Sequence, residues 1–492
     1  MKKQKISLFI AAALLISFAA SCGETGNDKD HTDDTSAASD STTEAEDTSV
    51  KDDLGSFDFG GYEFNVMTRT TPLFYPYLDQ KEETGDVLDD AVYKRNRNVE
   101  ERFNFVLNEQ YYDYTVEGSD YPRKFLLSGD DTYDMFIGRC VHMFNYAAEG
   151  MIVPVEDIPH LNFDKPYWND QLYGDLEIQG THYFAVGDFN ISALDFTHAL
   201  LFNKGMAEDY QVGSLYDMVR QGKWTYDKFA EVARLAVNDL DGNTVMDELD
   251  QYGYTSLVKQ VMPGFWIASG VVTITKDADG ALVYTAPTNE KLIEVFQKIY
   301  DITWDDNIWH RNVETYAPAT SDAELELFKN GQAMFTNASC FQITTMMRDS
   351  ETEFGILPYP KYDESQEKYY SRIEGAELFG IPKTNTDLEM TGVILEALAC
   401  ASHNEVIPAY YDVALKVKYT RDEESAQMLD IIFENRIFDF GDTIFADQLR
   451  DGIIRKSFET DNRDIVSALT GVESTVNGKL TPVNEGFAEL SK

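Results

Sequence analysis

The chain has 492 residues, 43% of them apolar and 13% aromatic, so it is not a disordered acidic polymer as a whole. Asp and Glu number 86 against 41 Lys and Arg, a formal charge of −45. That balance excludes nucleic acid as a partner, because duplex binding needs a basic footprint, and it excludes direct adhesion to an anionic bilayer. The length suffices for two or three domains around a sizeable buried core.

The first residues read as an address. Lys2, Lys3 and Lys5 form a positive start, and Ile6 to Phe18 is an apolar run of secretory length, short for a membrane span. Ala19-Ala20-Ser21-Cys22 follows. This resembles the lipobox of bacterial lipoproteins, with Ala19 where Leu is commonest. The resemblance implies a signal peptide over 1–21 and a lipidated Cys22, holding the protein at the outer face of the cell membrane. An ordinary cleavable signal with a chance cysteine is the other reading. Residues 23–53 carry 11 acidic residues and two lysines with almost nothing apolar, so 22–56 is expected to be a solvated, disordered tether.

Folded structure is expected from Phe57. FDFGGYEFNVMTR alternates apolar and polar residues after a Gly-Gly turn and reads as a strand. In GDVLDDAVYKRNRNVEERFNFVL, Asp86 is a plausible N-cap, and Leu88, Val92, Val99 and Phe103 recur at helical spacing. DTYDMFIGR is a short buried strand, so the three pieces suggest a βαβ unit with parallel pairing. HALLFNK reads as another strand. GKWTYDKFAEVARLAV reads as a helix capped by Thr225, with Phe229, Val232, Ala233 and Ala236 on one face. EKLIEVFQKIYDI and DAELELFKNGQAMFT read as helices, the second entering a strand. FGILPYPKY and LFGIPK are apolar runs stopped by proline, and EMTGVILEALACAS and ESAQMLDIIFENRIF are long amphipathic helices. The fold class is α/β, without internal repeats. Cys140, Cys340 and Cys400 sit in apolar surroundings and are expected to be buried free thiols.

These pieces, in order, resemble the family 1 extracellular solute-binding proteins of carbohydrate ABC importers. The resemblance is carried by GDVLDDAVYKRNRNVEERFN, FNK at 202–204, WTYDKF at 224–229, FKNGQAMF at 328–335, FGILPYPKYDE at 354–364, IPKT at 381–384 and RDEESAQMLDIIFENRIFD at 421–439. It implies a two-lobed, type II periplasmic-binding-protein-like fold with a hinge and no enzyme activity. It also implies a carbohydrate held in the cleft, and hand-off by a monomer to membrane permease subunits driven by a separate ATPase. The chain has no phosphate-binding glycine loop of its own. On this resemblance, lobe one covers 57–198 plus 384–430, lobe two 199–383, and helices of 431–492 pack across the cleft edge. A secreted glycosidase and a surface glycan- or peptide-binding lipoprotein without transport are the alternatives.

A sugar presents C–H faces to flat aromatic rings and hydroxyls to planar polar groups. Trp168 in the proline-broken PYWND and Trp266 in PGFWIASG are candidate platforms, whereas Trp224 beside a helix start reads as packing and Trp304 and Trp309 remain open. The resemblance brings the residues after FKNGQAMFT to the cleft, with Ser339 and Phe341 as ligand contacts. Glu374, in the loop before LFGIPK, is a hydroxyl acceptor or a solvated loop charge. Asp188, in GDFNIS, lies near the first hinge. Arg69 and Arg139 end predicted strands, where open α/β sheets face their crevice, and surface ion pairs are their duller role. The expected ligand is a neutral oligosaccharide.

NDLDGNTVMDELDQYG resembles a calcium loop, with Asp239, Asp241, Asn243, the Val245 carbonyl, Asp247 and Asp250 at ligand spacing. Thr244 stands where the turn glycine is expected and Asp250 where a bidentate Glu is usual, so an acidic turn is the other reading. No other cofactor is expected, and any calcium is structural.

Overall fold

The computed structural model describes residues 49–70, 78–304, 308–311, 322–348, 350–415 and 423–490. The leader, Cys22 and residues 23–48 lie outside the described residues; residues 49–56 of the expected tether are instead packed on the body, with Val50 bonded to Asn404 and Asp52 paired with Arg102. Two four-stranded sheets organise the body. In the first, β1 (Tyr62–Thr70) lies between β2 (Phe105–Asp113) and β3 (Met135–Arg139), parallel to both. In the second, β4 (His198–Asn203) and β5 (Tyr252–Thr255) flank β6 (Ala333–Ser339), and β7 (Phe354–Leu357) pairs with the far edge of β4. β8 (Glu377–Gly380) then returns to the first sheet, antiparallel to β3.

Alternation explains why both sheets are covered on both faces. In β1, Phe64 and Val66 enter one core and Met67 another. In β4, Ala199 and Leu201 face one core while Leu200 and Phe202 face its opposite. A fully buried side chain of this size contributes about 1.5–3 kcal/mol, so a one-residue slip in register would invert the whole set.

Helix α1 (Val87–Phe103) starts where Asp86 accepts from the Leu88 amide at 3.0 Å, and ends at Asn104 in the left-handed region, φ 52°. The helix Tyr226–Leu235 is capped by Thr225, whose hydroxyl accepts from the Lys228 amide. Of the stretch 384–430, the helix Leu388–Ala401 packs on the first sheet, whereas Glu423–Glu434 packs on the second. The C-terminal segment meets both lobes: Phe458 stacks near Trp304 and Trp309, and Phe487 lies 5.3 Å from Phe144. Cys140, Cys340 and Cys400 are buried free thiols. Among the described residues, no helix is long and apolar enough to cross a membrane.

Candidate functional site

Three crossing segments run side by side between the sheets. Thr197 bridges Ile373, the Glu374 amide donates to the Phe196 carbonyl at 2.9 Å, and Ser371–Arg372 pairs in parallel with Arg436–Ile437. The carboxyl ends of β1 and β3 approach these crossings from one side and that of β6 from the other, since Arg139 pairs with Glu377 and Ser339 with His198. Ligands of open α/β sheets bind at such strand ends.

Charged side chains fill this crevice. Glu374 accepts from Gln260 Nε2 at 3.0 Å and Arg450 Nη1 at 2.9 Å, and lies 3.2 Å from His198 Nε2 and 3.3 Å from Arg372 Nη2. Burial opposes its charge, but Arg372, the His198 hydrogen bond and Arg450 outweigh burial and hold the carboxyl well below the usual range. Arg372 is itself buried and forms a two-pronged pair with Asp442, at 2.6 and 2.9 Å. Arg69 pairs with Glu377, and its guanidinium lies 4.9 Å from the Tyr114 ring centre. Arg139 is exposed at the end of β3.

The remaining expected contacts divide. Phe341 lines a cavity of about 180 Å³ between the start of α1, at Asp86 and Asp89, and the segment carrying Arg348. Asp195, a buried residue of its lining, is pushed up to about 7 by burial, against a hydrogen bond from Tyr410. Ser339 is a helix cap: its hydroxyl accepts from the Gln342 amide, and the Gln342 side chain accepts from the Ser339 amide. Asp188 lies 2.7 Å from His403 Nδ1, on a separate cavity of about 390 Å³.

The two tryptophans differ from expectation. Trp168 is 3% exposed, with its Nε1 donating to Glu396 at 3.0 Å and its ring against Phe163, Phe189 and Phe379. The backbone passes so closely at Gly187 that any side chain there would overlap the Trp168 ring. Trp266 is fully buried because PGFWIASG is not a loop: Pro263 and Trp266 both lie inside the helix Val258–Ala268. Trp266 is a core side chain, whereas Trp168, though nearly buried, also lines the cavity beside Asp188. Trp224 is core as well, donating to the Pro358 carbonyl. Gln260, His198, Asp442 and Arg450 escaped sequence reading. The one signal was the placing of Asp442 and Arg450 among apolar neighbours in FGDTIFADQLRDGII.

In the acidic loop, carboxylate oxygens of Asp239, Asp241 and Asp250 lie within 4.8 Å of one another. Asp239 accepts from the Gly242 and Thr244 amides, and the buried Asp250 from the Leu240 and Asp247 amides. Thr244 adopts φ 68°, the left-handed turn that glycine normally supplies in a calcium loop. The Asn238–Gln251 bridge closes the loop. Oxygen donors in this arrangement suit a hard cation, with Asn243, Val245 and Asp247 on the same turn.

No family model matches the sequence. No curated protein matches it either. Solved structures do match the backbone. The sugar-binding protein MalE from Xanthomonas citri aligns over 87% of this chain and 98% of its own, with a TM-score of 0.57 and 12% identity. A sugar transporter from Rhizobium etli, in an open conformation, aligns over 86% and 98%, with a TM-score of 0.54 and 14% identity. UgpB from Mycobacterium tuberculosis, in complex with glycerophosphocholine, aligns over 87% and 99%, with a TM-score of 0.53 and 14% identity. The chain shares the two-lobed α/β fold of MalE. The likeness is one of backbone architecture, and at such identity it leaves the ligand to be argued from the crevice.

Proposed function

We propose that this protein captures an oligosaccharide in the crevice between its lobes and delivers it, chemically unchanged, to the permease of an ABC importer. The observation that carries the reading is the crevice itself. Strand ends from both sheets converge on it, and planar polar groups, Arg69, Gln260, Glu374, Glu377 and Arg450, gather there. Such groups pair with sugar hydroxyls, and closure of the lobes would shield those bonds from water. The sugar-binding proteins of the same fold support carbohydrate as the ligand class. On the lipobox reading, the mature chain starts at lipidated Cys22 and works outside the cell. Calcium in the Asp239–Asp250 loop would be structural. A calorimetric screen of mono- and oligosaccharides tests the function. Binding of at least one oligosaccharide without turnover is expected, and the reading fails if peptides bind and sugars do not.

A further inference from the structure

Resting on the carbohydrate reading, we propose that the first-lobe end of the crevice is a subsite for a carboxylated sugar, a uronate unit of the oligosaccharide. Its elements are Arg139, Arg69 and Glu377, brought together by neighbouring strands. Glu377 on β8 is the cross-strand partner of Arg139 on β3, and Arg69 on β1 reaches Glu377 by its ion pair.

The bonding at these three residues is incomplete. Arg372 and Arg450 have Asp442, Glu374 and Asp451 as counter-ions, and Arg69 has Glu377. Arg139 is exposed; its charge acts on the Glu377 carboxylate, which Arg69 already engages, so two guanidinium groups share one carboxylate. Among the described residues, Arg69 is 8% exposed yet its Nε has no acceptor, and Glu377 is 1% exposed yet its Oε2 has no donor. Buried polar atoms are ordinarily satisfied, so two such atoms side by side mark where a partner is missing. The nine-residue helix Cys140–Ala148 begins directly after Arg139 without a capping side chain, which adds the positive end of its dipole.

The unfilled groups specify complementary chemistry. Two guanidinium donors call for an anionic acceptor, and the single carboxylate oxygen calls for a hydroxyl donor next to it. A neutral sugar supplies the hydroxyl and leaves two guanidinium charges sharing one carboxylate. A uronate supplies both, a carboxylate and a hydroxyl on the same ring. The formal charge of −45 does not oppose this, because exposed charges farther than a Debye length of about 8 Å are largely screened at physiological salt.

The test is calorimetry of the full mature protein against glucuronate-, galacturonate- and mannuronate-containing oligosaccharides and their neutral counterparts of equal length. An acidic oligosaccharide is expected to bind more tightly than its neutral counterpart. Arg139→Gln should weaken the acidic ligand by about ten- to a hundred-fold, the scale of a charged hydrogen bond, and weaken its neutral counterpart far less. If neutral sugars bind as well as or better than every acidic one, or Arg139→Gln weakens both alike, the uronate subsite is overturned while carbohydrate capture stands. If no sugar of either kind binds, the carbohydrate reading falls and the subsite with it.

Discussion

The pair Arg372–Asp442 fastens the C-terminal segment to the crossing between the lobes, and breaking it has a calculable cost. Both side chains are fully buried, and the guanidinium spends two donors on one carboxylate. Changing Arg372→Gln leaves Asp442 without its two-pronged partner and Glu374 with Arg450 as its remaining guanidinium partner. Removing one member of a buried ion pair typically costs about 3–5 kcal/mol, because the survivor is neither solvated nor neutralised. Asp442→Asn should cost a similar amount, partly offset because Glu374 remains 3.3 Å from the Arg372 guanidinium. The double change Arg372→Met with Asp442→Leu should recover much of the loss, since replacing both partners by apolar groups can be nearly neutral. Urea denaturation of the four proteins measures these costs. Single substitutions costing less than about 1 kcal/mol, the range of exposed pairs, would refute the reasoning.

Chelator should lower the melting temperature if calcium occupies the acidic loop, and Asp241→Ala should abolish that sensitivity; a melting curve indifferent to both calcium and chelator removes the site. Cys22→Ala should release the protein to the medium or leave unprocessed precursor, and unchanged membrane fractionation would contradict lipidation. Burial pushes the Glu324 carboxyl up to about 8, from an unfolded value of 4.5. Its folded form therefore holds the proton more tightly, so its contribution is full below pH 4.5 and is lost as pH rises through 8, on the order of a few kcal/mol. Glu324→Gln should flatten stability against pH in that window, and an unaltered slope in denaturation at several pH values would refute the assignment.

The elements were legible where local rules suffice. Asp86 and Thr225 announce their helices by capping chemistry, and apolar runs such as HALLFNK mark strands buried on both faces. The strand-end rule picks out Arg69 and Arg139, but the partners that make a crevice come from afar. Arg69 meets Glu377 across 308 positions and Arg372 meets Asp442 across 70, distances at which no pattern in a single sequence speaks. Proline and glycine around Trp168 and Trp266 suggested loops, yet a helix absorbs Pro263 and the Trp168 ring folds back over Gly187. The overlooked sign was Glu396, an acid set within the apolar run from Gly392 to Ala401. A buried carboxylate needs donors, and Tyr167 and Trp168 supply them.

The central claim is that an oligosaccharide is held in the crevice and left intact. Its most direct test is titration calorimetry of the wild-type protein and Glu374→Ala with an oligosaccharide identified by the screen, followed by chromatography of the recovered ligand. The account predicts binding by the wild type, a loss of about ten-fold or more in the variant if one charged hydrogen-bonding group is removed, and ligand recovered at its original length. Undiminished affinity in Glu374→Ala, or shorter sugars in the recovered fraction, would contradict it.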